Sequence, residues 1–151
     1  MARRRYATIF GMNTHVFTYG SLMFAEVWQR VVRGQYASCV ATLDGYRRFA
    51  VRDETYPGIV TISNTSSNTS SSVAGLVYAD VDAADVARLD QFEGELYQRI
   101  DAMVTDARGR AMPVQTYVFL QPTKLSDQPW LPESFALQQF LATYCVDKLG
   151  S

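Results

Sequence analysis

The sequence predicts an α+β fold, rich in β-strands with short helices inserted between them. Three observations carry that expectation. Short runs of β-branched and aromatic residues, each bounded by Gly, Pro, Asn or Asp, recur along most of the chain, as strands require. Apolar residues adopt helical spacing in only three segments, around Trp28, Leu89 and Phe140. Finally, 151 residues with 48% apolar and 13% aromatic side chains supply the material for one domain with its own core.

Taken in order, Val16-Phe-Thr-Tyr-Gly-Ser-Leu22 opens as a strand, breaks at Gly20 and leads into an amphipathic helix. Ala25, Trp28, Val31 and Val32 recur at helical spacing and Gly34 closes them, so the order is strand, tight turn, helix. Such a turn gathers free backbone N–H groups. Those of Gly20, Ser21 and Leu22 could hold a carboxylate, or an oxygen that becomes negative during a reaction, aided by the positive end of the helix. The plainer alternative is an ordinary glycine turn with Ser21 as the helix cap.

Cys39–Leu43 and Tyr46–Val51 read as strands joined by Asp44-Gly45, a short-hairpin signal. Ile59–Ile62 then alternates into Ser63-Asn-Thr-Ser-Ser-Asn-Thr-Ser-Ser-Ser72. This tract has no apolar side chain to bury and is expected to be a flexible hairpin loop. Its sequons at Asn64 and Asn68 carry no weight without a secretory signal. Val73–Tyr78 is the next strand, and Asp82 can cap a helix running through Phe92 or Glu93. Leu96–Val104 and Met112–Leu120 form a hairpin around Asp106–Gly109, and Gln121–Pro132, with three prolines, reads as a surface loop. Leu137, Phe140, Leu141 and Tyr144 give the last helix an apolar face for packing on the sheet. The domain is expected over residues 14–150, after a flexible N-terminal tail, 1–13.

The run Ala84–Arg99 holds the most informative residue. Val86, Leu89 and Phe92 form one apolar stripe, and Glu93 falls seven residues after Val86 and four after Leu89, which turns its side chain inward. Gly94 is the natural stop, so Glu93 occupies the last turn, beside unpaired carbonyls and the negative end of the helix dipole. Burial and dipole both disfavour the ionised form and lift the carboxyl toward the range where it can exchange protons near neutrality. A helix frayed one residue early would instead leave Glu93 in solvent.

Other chemistries fit the inventory poorly. A net charge of −1 offers no field for nucleic acid, and the one basic run, Arg3–Arg5, lies in the expected tail. No apolar stretch is long enough to span a membrane and no secretory core is visible, so a cytoplasmic protein without membrane partners is expected. Cys39 and Cys145 read as buried thiols. The single histidine, His15, reads as a surface residue at the start of a strand. It is six residues from Ser21, ~20 Å along an extended chain, too far for a nucleophile–base pair. One histidine and two separated cysteines cannot build a His/Cys zinc site, and no acidic cluster has calcium-loop spacing, so no metal is expected. The glycines match no nucleotide-binding pattern, so no cofactor is expected. Nothing in the pattern specifies an oligomeric state.

Together, Tyr19-Gly-Ser-Leu22 near the first strand and Leu89-Asp90, Glu93-Gly94, Tyr97 and Arg99 about seventy residues later resemble the γ-glutamylcyclotransferase-like superfamily, in its AIG2-like and γ-glutamylamine cyclotransferase branch. Asp44-Gly45-Tyr46, Tyr56-Pro57, Ala74–Tyr78 and Gln115–Phe119 add secondary matches, and the resemblance covers most of residues 14–120. No single element is specific; their order and spacing are. The resemblance implies a small mixed β-barrel flanked by short helices, with the site in a pocket at its mouth.

It also implies a substrate class and a mechanism. The α-amine of a γ-glutamyl compound can attack its own γ-carbonyl, giving 5-oxoproline and a free amine, so the protein supplies neither nucleophile nor water. Glu93 would take a proton from the α-ammonium and later deliver it to the leaving amine. Backbone amides at Tyr19, Gly20, Ser21 and Leu22 would bind the glutamyl end or the developing oxyanion. Tyr97 and Arg99, two apart on one strand face, would line the pocket, Tyr97 bonding Glu93 or substrate and Arg99 pairing with a carboxylate; their structural alternative is a core tyrosine and a surface arginine. The rival expectation is a catalytically silent small-molecule binding module of the same fold.

Overall fold

A computed structural model describes residues 13–62 and 71–150. The expected tail, apart from Asn13, lies outside the described residues, as do residues 63–70 of the Ser/Asn/Thr tract with both sequons.

Among the described residues, eight strands form two sheets. β1 (Thr14–Thr18), β2 (Ser38–Asp44), β5 (Ser72–Val81), β6 (Tyr97–Asp106) and β7 (Ala111–Phe119) close into a barrel in the order β1-β5-β2-β6-β7. Four of its seams are antiparallel and the fifth, β1 with β7, is parallel, with Val16 opposite Gln115. The barrel is therefore mixed, and it is small enough for side chains to fill. Phe17, Leu43, Val73, Val77 and Val104 point inward and are each at most 2% exposed. β3 (Tyr46–Val51), β4 (Pro57–Thr61) and β8 (Leu125–Pro129) make a second sheet in the order β4-β3-β8.

Among the described residues, three helices cover the barrel's outer face. α1 (Ala25–Val31) and α2 (Ala83–Glu93) bury Val27, Trp28, Val86, Leu89 and Phe92 against Val16, Tyr78, Val81 and Tyr117. Trp28 stacks on Tyr78 at 3.6 Å between ring centres. A C-terminal helix, α3, runs from Leu137–Phe140 through a π-helical stretch, Leu141–Cys145, into Val146–Leu149. The expected N-cap of α2 is present, with the Asp82 carboxylate accepting from the Asp85 N–H at 2.8 Å. None of the described helices is long and apolar enough to cross a membrane.

Four expectations are corrected. Asp44-Gly45 does not close a hairpin. Gly45, at φ +89°, turns the chain out of the barrel into the second sheet; its N–H donates to the Ser71 carbonyl and its carbonyl accepts from Ile62, so β2 and β3 never pair. The hairpin is β3 with β4, Tyr46 facing Thr61. The Ser/Asn/Thr tract likewise joins two sheets, since β4 and β5 do not pair. Within the expected loop Gln121–Pro132, Leu125–Pro129 forms β8, an edge strand where proline is tolerated. Cys145 is buried as expected, but Cys39 is exposed: it has the inward parity of Ala41 and Leu43 but lies near the open start of β2. His15 is half-buried, and its Nδ1 accepts from the Asp80 N–H at 3.1 Å, at the end of β1 away from Ser21.

Candidate active site

β1 ends at Thr18, and the chain passes through Tyr19 and Gly20 into a 3-10 turn, Ser21–Met23, before α1 begins. Tyr19 keeps the inward parity of Phe17 and is buried; its hydroxyl donates to the Tyr117 carbonyl at 2.6 Å. Its carbonyl accepts from Arg48 Nη1 at 2.7 Å, so the turn is held by its neighbours on both sides. Gly20 lies against β4, where a Cβ would stand 2.8 Å from Pro57 Cγ, closer than carbon atoms pack. Only glycine allows that approach. The carbonyls of Gly20 and Ser21 accept from the amides of Met23 and Phe24, both at 3.0 Å. Among the described residues, the amides of Gly20, Ser21 and Leu22 make no turn or loop bond to backbone, as expected for the first N–H groups of a helical turn. Ser21 caps nothing with its hydroxyl; Gly20 occupies the cap position of the turn and Phe24 that of α1.

Glu93 is the last residue of α2. Val86, Leu89 and Phe92 are buried as the stripe requires, and Gly94, at φ +79°, ends the helix with its N–H donating to the Asp90 carbonyl at 3.0 Å. The remaining accessible surface of Glu93 opens onto a pocket, and the rest of the side chain is enclosed by protein. Its carboxyl has no hydrogen-bond partner among the described residues. Burial pushes it up from 4.5 to about 8; Lys148 pulls against that shift and Asp90 adds to it. Lys148 comes from α3 to lie over Gly94, where a Cβ would be 2.6 Å from its Nζ, complementing the negative end of α2.

The pocket is a narrow cleft, partly open to solvent. Tyr19, Gly20, Ser21 and Leu22 form one wall, Glu93 and Tyr97 another, and Tyr56, Pro57, Phe140 and Tyr144 close it. The structure thus gathers six of the seven residues singled out from the sequence. Tyr97 lines the pocket, but its hydroxyl donates to the Pro57 carbonyl at 2.7 Å rather than to Glu93. Arg99 is not among the lining residues. It shares the outer face of β6 with Tyr97 but lies one residue pair further along, ~7 Å, beside the preceding turn of α2. There it holds Asp90 at 2.8 and 3.0 Å and also bonds Gln115. Asp90 accepts a further bond from the Tyr117 hydroxyl at 2.6 Å. Sharing a face was legible from spacing; which of the two residues reached the pocket depended on where α2 ends.

Sequence reasoning did not assign Tyr56, Tyr117, Phe140 or Tyr144 to the site. Tyr56-Pro57 stood out only as part of the family pattern, and Phe140 and Tyr144 only as an apolar helix face. Their convergence depends on α3 folding back across 45 residues from α2 (Phe92 to Leu137) to put the Tyr144 hydroxyl on the Phe92 carbonyl at 2.7 Å.

A family model described as gamma-glutamyl cyclotransferase, AIG2-like, matches residues 16–135. AIG2-like protein D of Arabidopsis thaliana is 29% identical over 106 residues, covering 69% of this chain and 66% of that protein. Protein AIG2 C of the same plant is 30% identical over 107 residues, covering 70% and 61%. The matched segment therefore spans less than two thirds of the length of these curated relatives. A solution structure of an Arabidopsis thaliana protein superposes with a TM-score of 0.65 at 26% identity, over 88% of this chain and 80% of its own. A structure named gamma-glutamyl cyclotransferase superposes with a TM-score of 0.57 at 20% identity over 72% and 68%, a likeness of fold.

Proposed function

Because the chain belongs to the AIG2-like γ-glutamyl cyclotransferase family, we propose that it converts a γ-glutamyl amine or amino acid into 5-oxoproline and a free amine, with Glu93 as general acid and base. The observation that carries this reading is the Glu93 carboxyl itself: unpartnered among the described residues, raised to about 8, and opening on the same pocket as the turn at residues 19–22.

The reaction needs little else from the protein. Folding the γ-glutamyl chain so that its α-amine meets its γ-carbonyl makes the attack intramolecular, which alone is worth effective molarities of ~10⁵ M or more. The ionised Glu93 takes one proton from the α-ammonium. The freed amine attacks the γ-carbon, the carbonyl oxygen becomes negative, and the amides of Gly20, Ser21 and Leu22 are the donors available to it or to the glutamyl carboxylate. When the tetrahedral centre collapses, the C–N bond to the leaving amine breaks, Glu93 returns its proton to that nitrogen, and the attacking nitrogen gives up its second proton to solvent, leaving the neutral lactam. A carboxyl near 8 suits both halves of this exchange, because it is a strong enough base to accept the proton and a strong enough acid to return it.

The test is a panel of γ-glutamyl compounds, with an amino acid, a lysine side chain or a simple amine as leaving group, scored for 5-oxoproline by mass spectrometry. Release from at least one supports the reading. Binding of γ-glutamyl compounds without release from any would establish the silent binding module instead.

A further inference from the structure

We infer that Tyr56 is the side-chain donor that grips the α-carboxylate of the γ-glutamyl substrate, its hydroxyl pointing into the Glu93 pocket from the wall formed by the residues before β4. The inference rests on the cyclotransferase reading and deepens it.

The first observation is what the pocket lacks. Among the described residues, its lining includes no lysine, arginine or histidine. Lys148 lies behind Gly94, 5.5 Å from the Tyr144 ring centre, and faces a separate cleft. A γ-glutamyl substrate brings a carboxylate into this space, so neutral donors must bind it.

The second observation is which donors are already engaged. A hydroxyl has one proton to donate. The Thr18 hydroxyl donates to the Leu76 carbonyl at 3.0 Å, Tyr19 to the Tyr117 carbonyl at 2.6 Å and Tyr97 to the Pro57 carbonyl at 2.7 Å. Tyr117 donates to Asp90 at 2.6 Å and Tyr144 to the Phe92 carbonyl at 2.7 Å. Among the described residues, the Tyr56 hydroxyl has no such partner, and it is not a buried orphan, since it opens on the pocket. Ser21 also has an uncommitted hydroxyl, but it lies within the turn whose amides already offer donors; Tyr56 offers a donor from a separate segment.

The third observation is how firmly Tyr56 is held. Three successive carbonyls around it are each fixed by a different element. Thr55 accepts from Trp130 Nε1 at 2.9 Å, Tyr56 from the Val51 amide at 3.1 Å, and Pro57 from the Tyr97 hydroxyl at 2.7 Å. The ring itself packs edgewise on Tyr144 at 5.1 Å. A donor fixed in place before the ligand arrives loses little entropy on binding. Burial lifts its phenol to about 12, so it remains protonated through neutral pH.

The carboxylate is present in the ground state and the transition state alike, so its loss should appear in KM and not in kcat. Tyr56→Phe should raise KM for a γ-glutamyl substrate about tenfold to a hundredfold, the worth of a hydrogen bond to a charged group, with kcat within about threefold. Its melting temperature should not change. For 4-aminobutanamide, which has the reacting amine and carbonyl but no α-carboxylate, the substitution should leave KM unaltered. Calorimetric binding of 5-oxoproline, which keeps the carboxylate, should weaken by the same factor and reads the contact without turnover. Turnover by the wild type with unchanged KM in Tyr56→Phe, or a fall in kcat alone, would overturn the inference and leave the cyclotransferase reading standing. So would unfolding of the variant, which would give the hydroxyl a structural partner. Absence of 5-oxoproline release by the wild type would sink the cyclotransferase reading, and unaltered 5-oxoproline binding in Tyr56→Phe would then sink this inference separately.

Discussion

At Glu93 a carboxyl with an ordinary value of 4.5 is held at about 8 in the folded chain, so between those values the fold retains a proton that the unfolded chain releases. Folding stability contributed by the neutral carboxyl is complete below pH 4.5 and is lost as pH rises through 8. The wild type should therefore lose stability relative to Glu93→Gln across that window, with a slope of up to about 1.4 kcal/mol per pH unit, measurable as chemical denaturation midpoints at successive pH values. Activity should move in the opposite direction. As the base must be ionised, kcat/KM should rise with pH along an acid limb centred near 8. Glu93→Gln should reduce turnover by ~10²–10⁴ while leaving the fold intact, since the amide preserves volume but accepts no proton. More than a tenth of wild-type turnover in that variant would remove Glu93 from the chemistry.

Two elements are held by single residues whose loss should be felt beyond their own contacts. Gly20 lets the turn after β1 rest on Pro57, and Gly20→Val drives a side chain into that ring. The expected cost is about 1–3 kcal/mol in denaturation together with loss of most activity, because the amides of the turn move with it. Asp85 ties α2 to the end of α1. Although 1% exposed, its carboxylate accepts from the amides of Arg33 and Gly34, both at 2.9 Å, from the Tyr36 hydroxyl at 2.6 Å and from Arg88. Burial alone would raise it, but these bonds outweigh burial and hold it at about 2. Its contribution is therefore present above pH 3.8 and lost as pH falls toward 2. Asp85→Ala should destabilise by about 1–3 kcal/mol, since it removes the shared acceptor of several part-buried donors at once. This clasp had no signature in the sequence: Asp85 reads as one more acid in the first turn of a helix. The helix itself was legible, from its cap at Asp82 to its end at Glu93, because cap, stripe and stop lie within one stretch of chain.

On the scale of the molecule, the connection between the two sheets can be tested directly. Ile62 and Ser71 both bond Gly45, so the two ends of the Ser/Asn/Thr tract are fixed to one residue. Loop-closure entropy changes by only about 0.6 kcal/mol for each doubling of length. Replacing residues 63–70 with a four-residue Gly/Ser linker should therefore leave the melting temperature within a few degrees and Glu93-dependent turnover in place. A shortened protein with an unchanged melting temperature and no turnover would assign the tract a role over the pocket.

Local order was determined by the sequence alone. Strand, turn and helix at residues 16–32, the bounds of α2, the inward aim of Glu93 and the β6–β7 hairpin all follow from periodicity and from caps and stops a few residues apart, where the chain has little freedom to do otherwise. Tertiary structure decided which strands paired and which side chains met. Gly45 marked a turn, but only Ile62 and Ser71 made it a passage between sheets rather than a hairpin. The parallel β1–β7 seam joins residues about a hundred positions apart, Val16 with Gln115. β8 emerged from a proline-rich stretch because β3 had an open edge to fill. At the site, spacing placed Tyr97 and Arg99 on one face, yet the end of α2 left one in the pocket and the other on Asp90. Tyr56 and Tyr144 came to the same pocket from segments far apart in the chain. Contacts of that kind depend on which distant surfaces bury one another, and a pattern read over a few turns of chain carries no record of that.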